Sequence, residues 1–322
     1  MLEKHFRMTD RIAFAGGAWR WRSLAPVNSF SIRTTDAALS ACRRKDVSSF
    51  VMTLWGDDGA ECSPFALLPS LFLAGRRMRE ADAGAGRTRE EVMEAPLWSA
   101  EESADFRALT GYSLEEFMLL DLANCGNGDG LHTENAAKVF LYNDPLLGSF
   151  DSVVPEGIGT WYAESAARLS SVLEHGPRAF DGLFATQEKL CLVLEKKADI
   201  GKRLRAAYQG KDLALLEKLA GEEVPELIRR LDSFYAAFRR QWYGEAKPFG
   251  FEVQTIRIGG LKQRLADLQD ILCTYLRGER AVIEELEAKS LPCGYLDPES
   301  ERKGSTDYNR YNHMASTSKI SW

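Results

Sequence analysis

The chain has 322 residues, 45% hydrophobic and 27% charged, with a formal net charge of −6. This is the composition of a soluble globular protein long enough for two domains. The acidic balance argues against nucleic acid as a partner, and no apolar run reaches the roughly 18 residues that cross a membrane.

The opening stretch, "MLEKHFRMTDRIAF", is charged throughout and has no signal-peptide core. Six cysteines (Cys42, Cys62, Cys125, Cys191, Cys273, Cys293) lack CxxC spacing. They read as free thiols in a reducing compartment, so the expected location is cytoplasmic.

"RIAFAGG" predicts a short buried strand ending in glycines. "TTDAALSACRRKD" predicts a helix capped by Thr34 or Thr35, with Ala38, Leu39, Ala41 and Cys42 at helical spacing. "VSSFVMTLW" is a second strand, and "SPFALLPSLFLAGRRMREAD" a second helix with Ser63 as N-cap and Pro64 at its first position. Strand, helix, strand, helix implies parallel strands joined by right-handed crossovers. Two apolar parallel strands need covered faces and neighbours on both edges, so the pattern reads as the end of an α/β barrel whose beginning is missing.

"EADAGAGRTREE" reads as a linker or loop, and beyond it the period is helical. Leu183, Leu190, Leu194, Ala198 and Leu204 share one stripe. Leu227, Leu231, Phe234, Phe238 and Trp242 form a second; Leu261, Leu265, Leu268, Leu272 and Leu276 form a third. Such stripes predict a helical bundle. "EKKAD" and "IEELEAK" read as solvated helix faces, and "YNDPLLG" as a turn after an apolar helix. In "KPFGFEVQTIRIGGL", Lys247, Arg257, Gly259 and Gly260 bracket a helix start, which suits a domain-docking segment better than a loop reaching a site. "HMASTSKISW" has weak strand character. The expected fold is therefore α/β, then all-α: two strand–helix units of a (β/α)8 barrel over residues 1–85 and a helical bundle domain over 86–322.

Four scattered histidines and the absence of GxGxxG, P-loop and GxSxG patterns leave no metal or cofactor expected. Barrel active sites lie at the C-terminal ends of strands. "GGAWRW" and "WGDDGAE" are both placed there, which would bring Trp19, Trp21 and Trp55 to one mouth with Asp57, Asp58 and Glu61. Aromatic rings pack on the C–H faces of a pyranose and carboxylates accept from its hydroxyls, so the set suits a sugar pocket. The plainer reading is that the tryptophans cap the core and the acids are a charge cluster at a helix N-terminus, which the helix dipole favours anyway. The acids lack the alternation of a calcium loop.

"FAGGAWRW", "TLWGDDGAECSPFALLPSL", "LYNDPLLG", "KPFGFEVQTIRIGGLKQRL" and "IEELE", in this order, resemble the family 20 glycoside hydrolases. The likeness is narrower still to the bacterial, mostly intracellular subgroup with a long helical C-terminal domain. It implies an exo-acting β-N-acetylhexosaminidase that releases terminal N-acetylglucosamine or N-acetylgalactosamine from an amino-sugar glycan. In that family the substrate's own acetamido oxygen attacks the anomeric carbon. An adjacent Asp-Glu pair orients that group and supplies the general acid and base.

By the same resemblance, Trp55 walls the terminal sugar and Asp57 binds its outer hydroxyls, with Asp58 and Glu61 as close substitutes. Trp19 and Trp21 fall where the preceding strand contributes to the pocket. Many relatives carry a tyrosine and an aspartate there; this chain has neither, so no partner for the acetamido carbonyl is assigned. No Asp directly precedes a Glu in these 322 residues, so the catalytic pair is absent. The resemblance then covers only a C-terminal half, with Met1 an internal methionine or the start of a truncated frame. The expected chain is inactive alone, since losing a positioned acid costs about 10²–10⁴ in rate. Two alternatives stay open: a non-catalytic carbohydrate-binding or interaction remnant, and one half of a split enzyme. Open strand edges predict association, either between copies or with a missing N-terminal barrel half.

Overall fold

A computed structural model describes residues 2–9, 11–47, 49–79, 88–124, 136–289 and 316–317. The chain divides into two compact units, Met1–Asp121 and Leu122–Trp322. The division falls later than the 85/86 boundary expected from the sequence. Most of the expected linker, residues 80–87, and most of "HMASTSKISW" lie outside the described residues.

The first unit opens with α1 (Leu2–Phe6), β1 (Ala13–Gly17), α2 (Asn28–Arg43) and β2 (Ser49–Thr53). The two strands pair in parallel, with Ala13 opposite Ser49 and Gly17 opposite Thr53. Phe14 and Phe50 stack at 5.1 Å on one face. On the other, Ala13, Ala15, Ser49 and Val51 are exposed. Among the described residues these are the only two strands, and they pair in parallel as the sequence predicts.

Ser63 caps a short 3₁₀ turn, Pro64–Leu67, by accepting the Phe65 N–H, and this turn leads into α3 (Leu68–Arg79). Thus Ser63 and Pro64 open the helical run as the sequence predicts. The helices α4 (Arg89–Glu94), α5 (Ala100–Thr110) and α6 (Leu114–Met118) follow, each starting in a capping box: Thr88 with Glu91, Ser99 with Glu102, Ser113 with Glu116. The reciprocal side-chain bonds satisfy donors that a helix start leaves open.

The start of α2 corrects the sequence reading. The helix begins at Asn28, so Thr34 and Thr35 lie inside it rather than at its cap. Thr34 Oγ1 instead donates back to the Phe30 carbonyl at 2.9 Å. The cap comes from far along the chain: Asp121 Oδ1 accepts the Asn28 N–H and Oδ2 the Ser29 N–H, both at 2.8 Å.

The second unit is helical: α7 (Ala136–Tyr142), α8 (Ile158–Leu173), α9 (Asp181–Lys197), α10 (Ile200–Gln209), α11 (Leu213–Lys218), α12 (Val224–Glu245), α13 (Phe251–Leu276) and α14 (Glu284–Glu287). The first stripe is broken between α9 and α10, yet all five of its residues are buried. In the second and third, Leu227, Leu231, Phe234, Phe238, Leu261, Leu265, Leu268 and Leu272 are buried. Each such side chain contributes about 1.5–3 kcal/mol relative to exposure, so these faces hold the bundle together.

Two further readings are corrected. Gly259 and Gly260 do not mark a helix start; they sit in the middle of α13, which begins after Gly250 in a left-handed conformation (φ 96°). A Cβ on Gly260 would stand 3.2 Å from Thr317, so close packing explains that glycine. "EKKAD" is not a solvated face either, because Lys197 is 1% exposed. Its ammonium donates to the Phe140 and Asn143 carbonyls at 3.2 and 2.5 Å, closing the C-terminal end of α7. The following "YNDPLLG" forms the expected turn. Asp144 accepts the Leu146 and Leu147 N–H groups at 2.9 and 3.1 Å and pairs with Arg264 of α13 at 2.7 Å.

Candidate functional site

The parallel pairing brings the C-terminal ends of β1 and β2 to the same side, and every residue proposed from the sequence lies just beyond them. The segment after β1 folds back onto α2. Trp19 N–H donates to Ser31 Oγ at 2.7 Å, and its carbonyl accepts the Val27 N–H at 3.0 Å. Trp19 and Trp21 stack at 4.5 Å with 24° between their planes, and Phe30 meets Trp19 edge-on at 4.8 Å. Trp21 lies over the strand end so closely that a Cβ on Gly17 would come within 2.7 Å of its ring. Trp19 Nε1 is buried with no hydrogen-bond partner among the described residues.

The segment after β2 carries the fifth to twelfth residues of "VMTLWGDDGAEC". Trp55 is 59% exposed. Of the three carboxylates, Asp57 is exposed, Asp58 half-buried and Glu61 buried. Asp58, Gly59 and Ala60 are all left-handed, with φ of 58°, 112° and 50°. Left-handed backbone costs an ordinary residue about 1–2 kcal/mol. Arg22, in the facing loop, also has φ 58°. Three of the five described non-glycine residues with positive φ thus lie in these two loops, which marks them as the strained part of the fold.

The two loops are tied together. Arg22 N–H donates to the Asp57 carbonyl at 3.1 Å, and Ala60 N–H to the Gly56 carbonyl at 3.0 Å. Arg20 Nη1 donates to the Cys62 carbonyl. Its Nη2 lies 2.8 Å from where a Cβ on Gly56 would stand. Sequence reasoning passed over Arg20, because its partner is a main-chain carbonyl 42 residues away and leaves no side-chain pattern.

The arrangement provides an exposed indole, a stacked indole pair and an exposed carboxylate at one sheet end. It can hold a ring by its C–H face and accept hydrogen bonds from hydroxyls. No Asp-Glu pair stands in this chain to act as acid and base. Among the described residues no cluster of histidine, cysteine or acid could hold a metal ion, and no helix is long and apolar enough to cross a membrane.

A family model described as the Glycoside Hydrolase 20C C-terminal domain matches residues 115–305, more than half of the chain. "LYNDPLLG", "KPFGFEVQTIRIGGLKQRL" and "IEELE" fall within the match, whereas the two tryptophan-bearing loops precede it. No curated protein matches the chain. The chain belongs to the family of the glycoside hydrolase 20C C-terminal domain, and is thereby a relative of the family 20 glycoside hydrolases.

Proposed function

We propose that the chain supplies the sugar-binding wall of an exo-β-N-acetylhexosaminidase: the last two strand–helix units of its barrel and the helical domain that follows. Trp55 stacks on the terminal N-acetylhexosamine, Asp57 accepts its outer hydroxyls with Asp58 and Glu61 beside it, and Trp19 and Trp21 close the wall. The chain is inactive by itself, because substrate-assisted cleavage needs an acid and a carboxylate that orients the acetamido group. The observation carrying this reading is the parallel register of β1 and β2, which puts both tryptophan loops at one sheet end. The buried free thiols Cys42, Cys62 and Cys191 suit a reducing, cytoplasmic location.

Titration with N-acetylglucosamine, followed by tryptophan fluorescence, tests it. Saturable quenching that is lost in Trp55→Ala, with no turnover of an aryl β-N-acetylglucosaminide, is the expected result. Quenching that persists in Trp55→Ala, or none at all, overturns it.

A split enzyme is the second reading, favoured by the uncovered face of Ala13, Ala15, Ser49 and Val51. Parallel strands are ordinarily covered on both faces. Turnover that arises only on mixing with a polypeptide carrying the Asp-Glu strand is its signature.

A further inference from the structure

We infer that Arg20 is a positioning residue for the acidic loop, clamping the strained turn that presents Asp57 and Asp58. The inference rests on the sugar-wall reading for what the loop binds, but the clamp itself rests on geometry. Arg20 leaves the loop after β1 and spans the loop after β2 from one end to the other. One nitrogen of its fork donates to the Cys62 carbonyl, at the end of the loop. The other sits against Gly56, at its beginning, where a Cβ would come within 2.8 Å.

Between those two points run three consecutive left-handed residues, Asp58, Gly59 and Ala60. A turn of that kind persists only where its surroundings over-determine it. Local ties include two backbone hydrogen bonds, Ala60 N–H to the Gly56 carbonyl and Arg22 N–H to the Asp57 carbonyl. Arg20 adds the link that fixes the distance between the loop's ends. Its charge is directed at a carbonyl, while the Asp57 side chain stays exposed and available to hydroxyls. A lysine cannot reproduce the function, because a single ammonium lacks the planar fork that meets both points.

Two readouts on the full chain test the clamp: amide exchange at Ala60 by NMR, and binding of N-acetylglucosamine by fluorescence. In Arg20→Lys the Ala60 amide exchanges about tenfold faster, while the β1–β2 ladder is unchanged. Sugar affinity falls by a similar factor. Ala60→Gly removes the left-handed penalty, so adding it to Arg20→Lys restores part of the affinity. A purely structural or directly sugar-binding Arg20 would not be rescued in this way, so failure of the rescue overturns the inference. If Arg20→Lys disturbs the whole fold, Gly56→Ala displaces the guanidinium without removing it and gives the same two changes. Unchanged exchange at Ala60 in both variants overturns the clamp. A wild-type chain that binds no sugar overturns the function proposed above; the exchange at Ala60 then decides the clamp alone.

Discussion

The carboxylate of Asp121 accepts the backbone N–H of Asn28 from 93 residues away, and with its second oxygen it accepts the N–H of Ser29. Val27, the residue at the helix N-cap, supplies no side-chain bond. A single remote carboxylate therefore satisfies the first turn of α2, the helix against which Trp19 is held. Asp121→Ala leaves buried donors open and is expected to cost about 1–3 kcal/mol in urea denaturation. Asp121→Asn keeps one acceptor of the two and falls between.

Asp121 also gives α2 a pH signature. Burial pushes its carboxyl up to about 6, against the pull of the Ser29 and Asn28 N–H groups. The folded chain thus holds a proton between about pH 4 and 6 that the unfolded chain releases. The stability it contributes is complete below pH 3.8 and is lost as pH rises through about 6. Subtracting the Asp121→Asn stability curve from the wild-type curve isolates this contribution, on the order of 3 kcal/mol across the window. A difference that is flat with pH refutes it.

Arg77 is the corresponding knot on α3. It pairs with Asp36 of α2 and Glu102 of α5 and donates to the Leu97 carbonyl. Burial opposes ionisation of Glu102, but the Ser99 N–H and Arg77 outweigh it and hold the carboxyl below its ordinary range. Arg77→Ala removes the cation that faces two nearly buried carboxylates and is expected to cost about 3–5 kcal/mol. Because the Glu102 pKa is depressed, its contribution is present above pH 4.5 and lost as pH falls. The variant should therefore lose less stability on acidification than wild type, which acid titration of both proteins measures.

What the sequence made legible was local. Ser63 and Pro64 announce their helix through adjacent residues, and the leucine stripes of α9, α12 and α13 declare their buried faces by spacing alone. The failures share one cause, a partner distant in the chain. Thr34 and Thr35 are sound caps by composition, yet Asp121 offers a better one six residues earlier. Lys197 reads as solvent-facing until the α7 carbonyls are placed beside it. The tryptophan loops were found from strand endings, but the left-handed turn and its Arg20 tie depend on parallel pairing that only the fold creates. Gly259 has no neighbour that explains it.

Lys197 provides an alkaline counterpart to Asp121. Burial lowers its ammonium to about 8, although the charges of Asp144 and Asp151 oppose the shift. The unfolded chain keeps this proton to about 10.5, so it binds more protons between pH 8 and 10.5, and stability rises with pH there. Lys197→Met removes that rise and leaves the Phe140 and Asn143 carbonyls unsatisfied, at about 1–3 kcal/mol. The gap between wild type and variant should widen from pH 7 to pH 10 in chemical denaturation. Parallel curves would show that Lys197 titrates in the folded chain as it does in the unfolded one.

Val51 sits in the middle of β2, 52% exposed, opposite Ala15 on the face where Ala13 and Ser49 are exposed as well. A short parallel pair with an apolar open face resembles the interior of a larger sheet more than a finished surface. Its free edges present unpaired N–H and C=O groups to any other strand. The wild-type chain is therefore expected to associate with rising concentration in sedimentation experiments. Val51→Lys puts a charge at the centre of that face, where it repels a second copy but leaves Phe14, Phe50 and the α2 side of the sheet untouched. It should hold the protein monomeric at concentrations where wild type associates, with little change in melting temperature. Equal association of the two proteins would move the self-contact away from this sheet, and with it the argument that added strands complete the fold here.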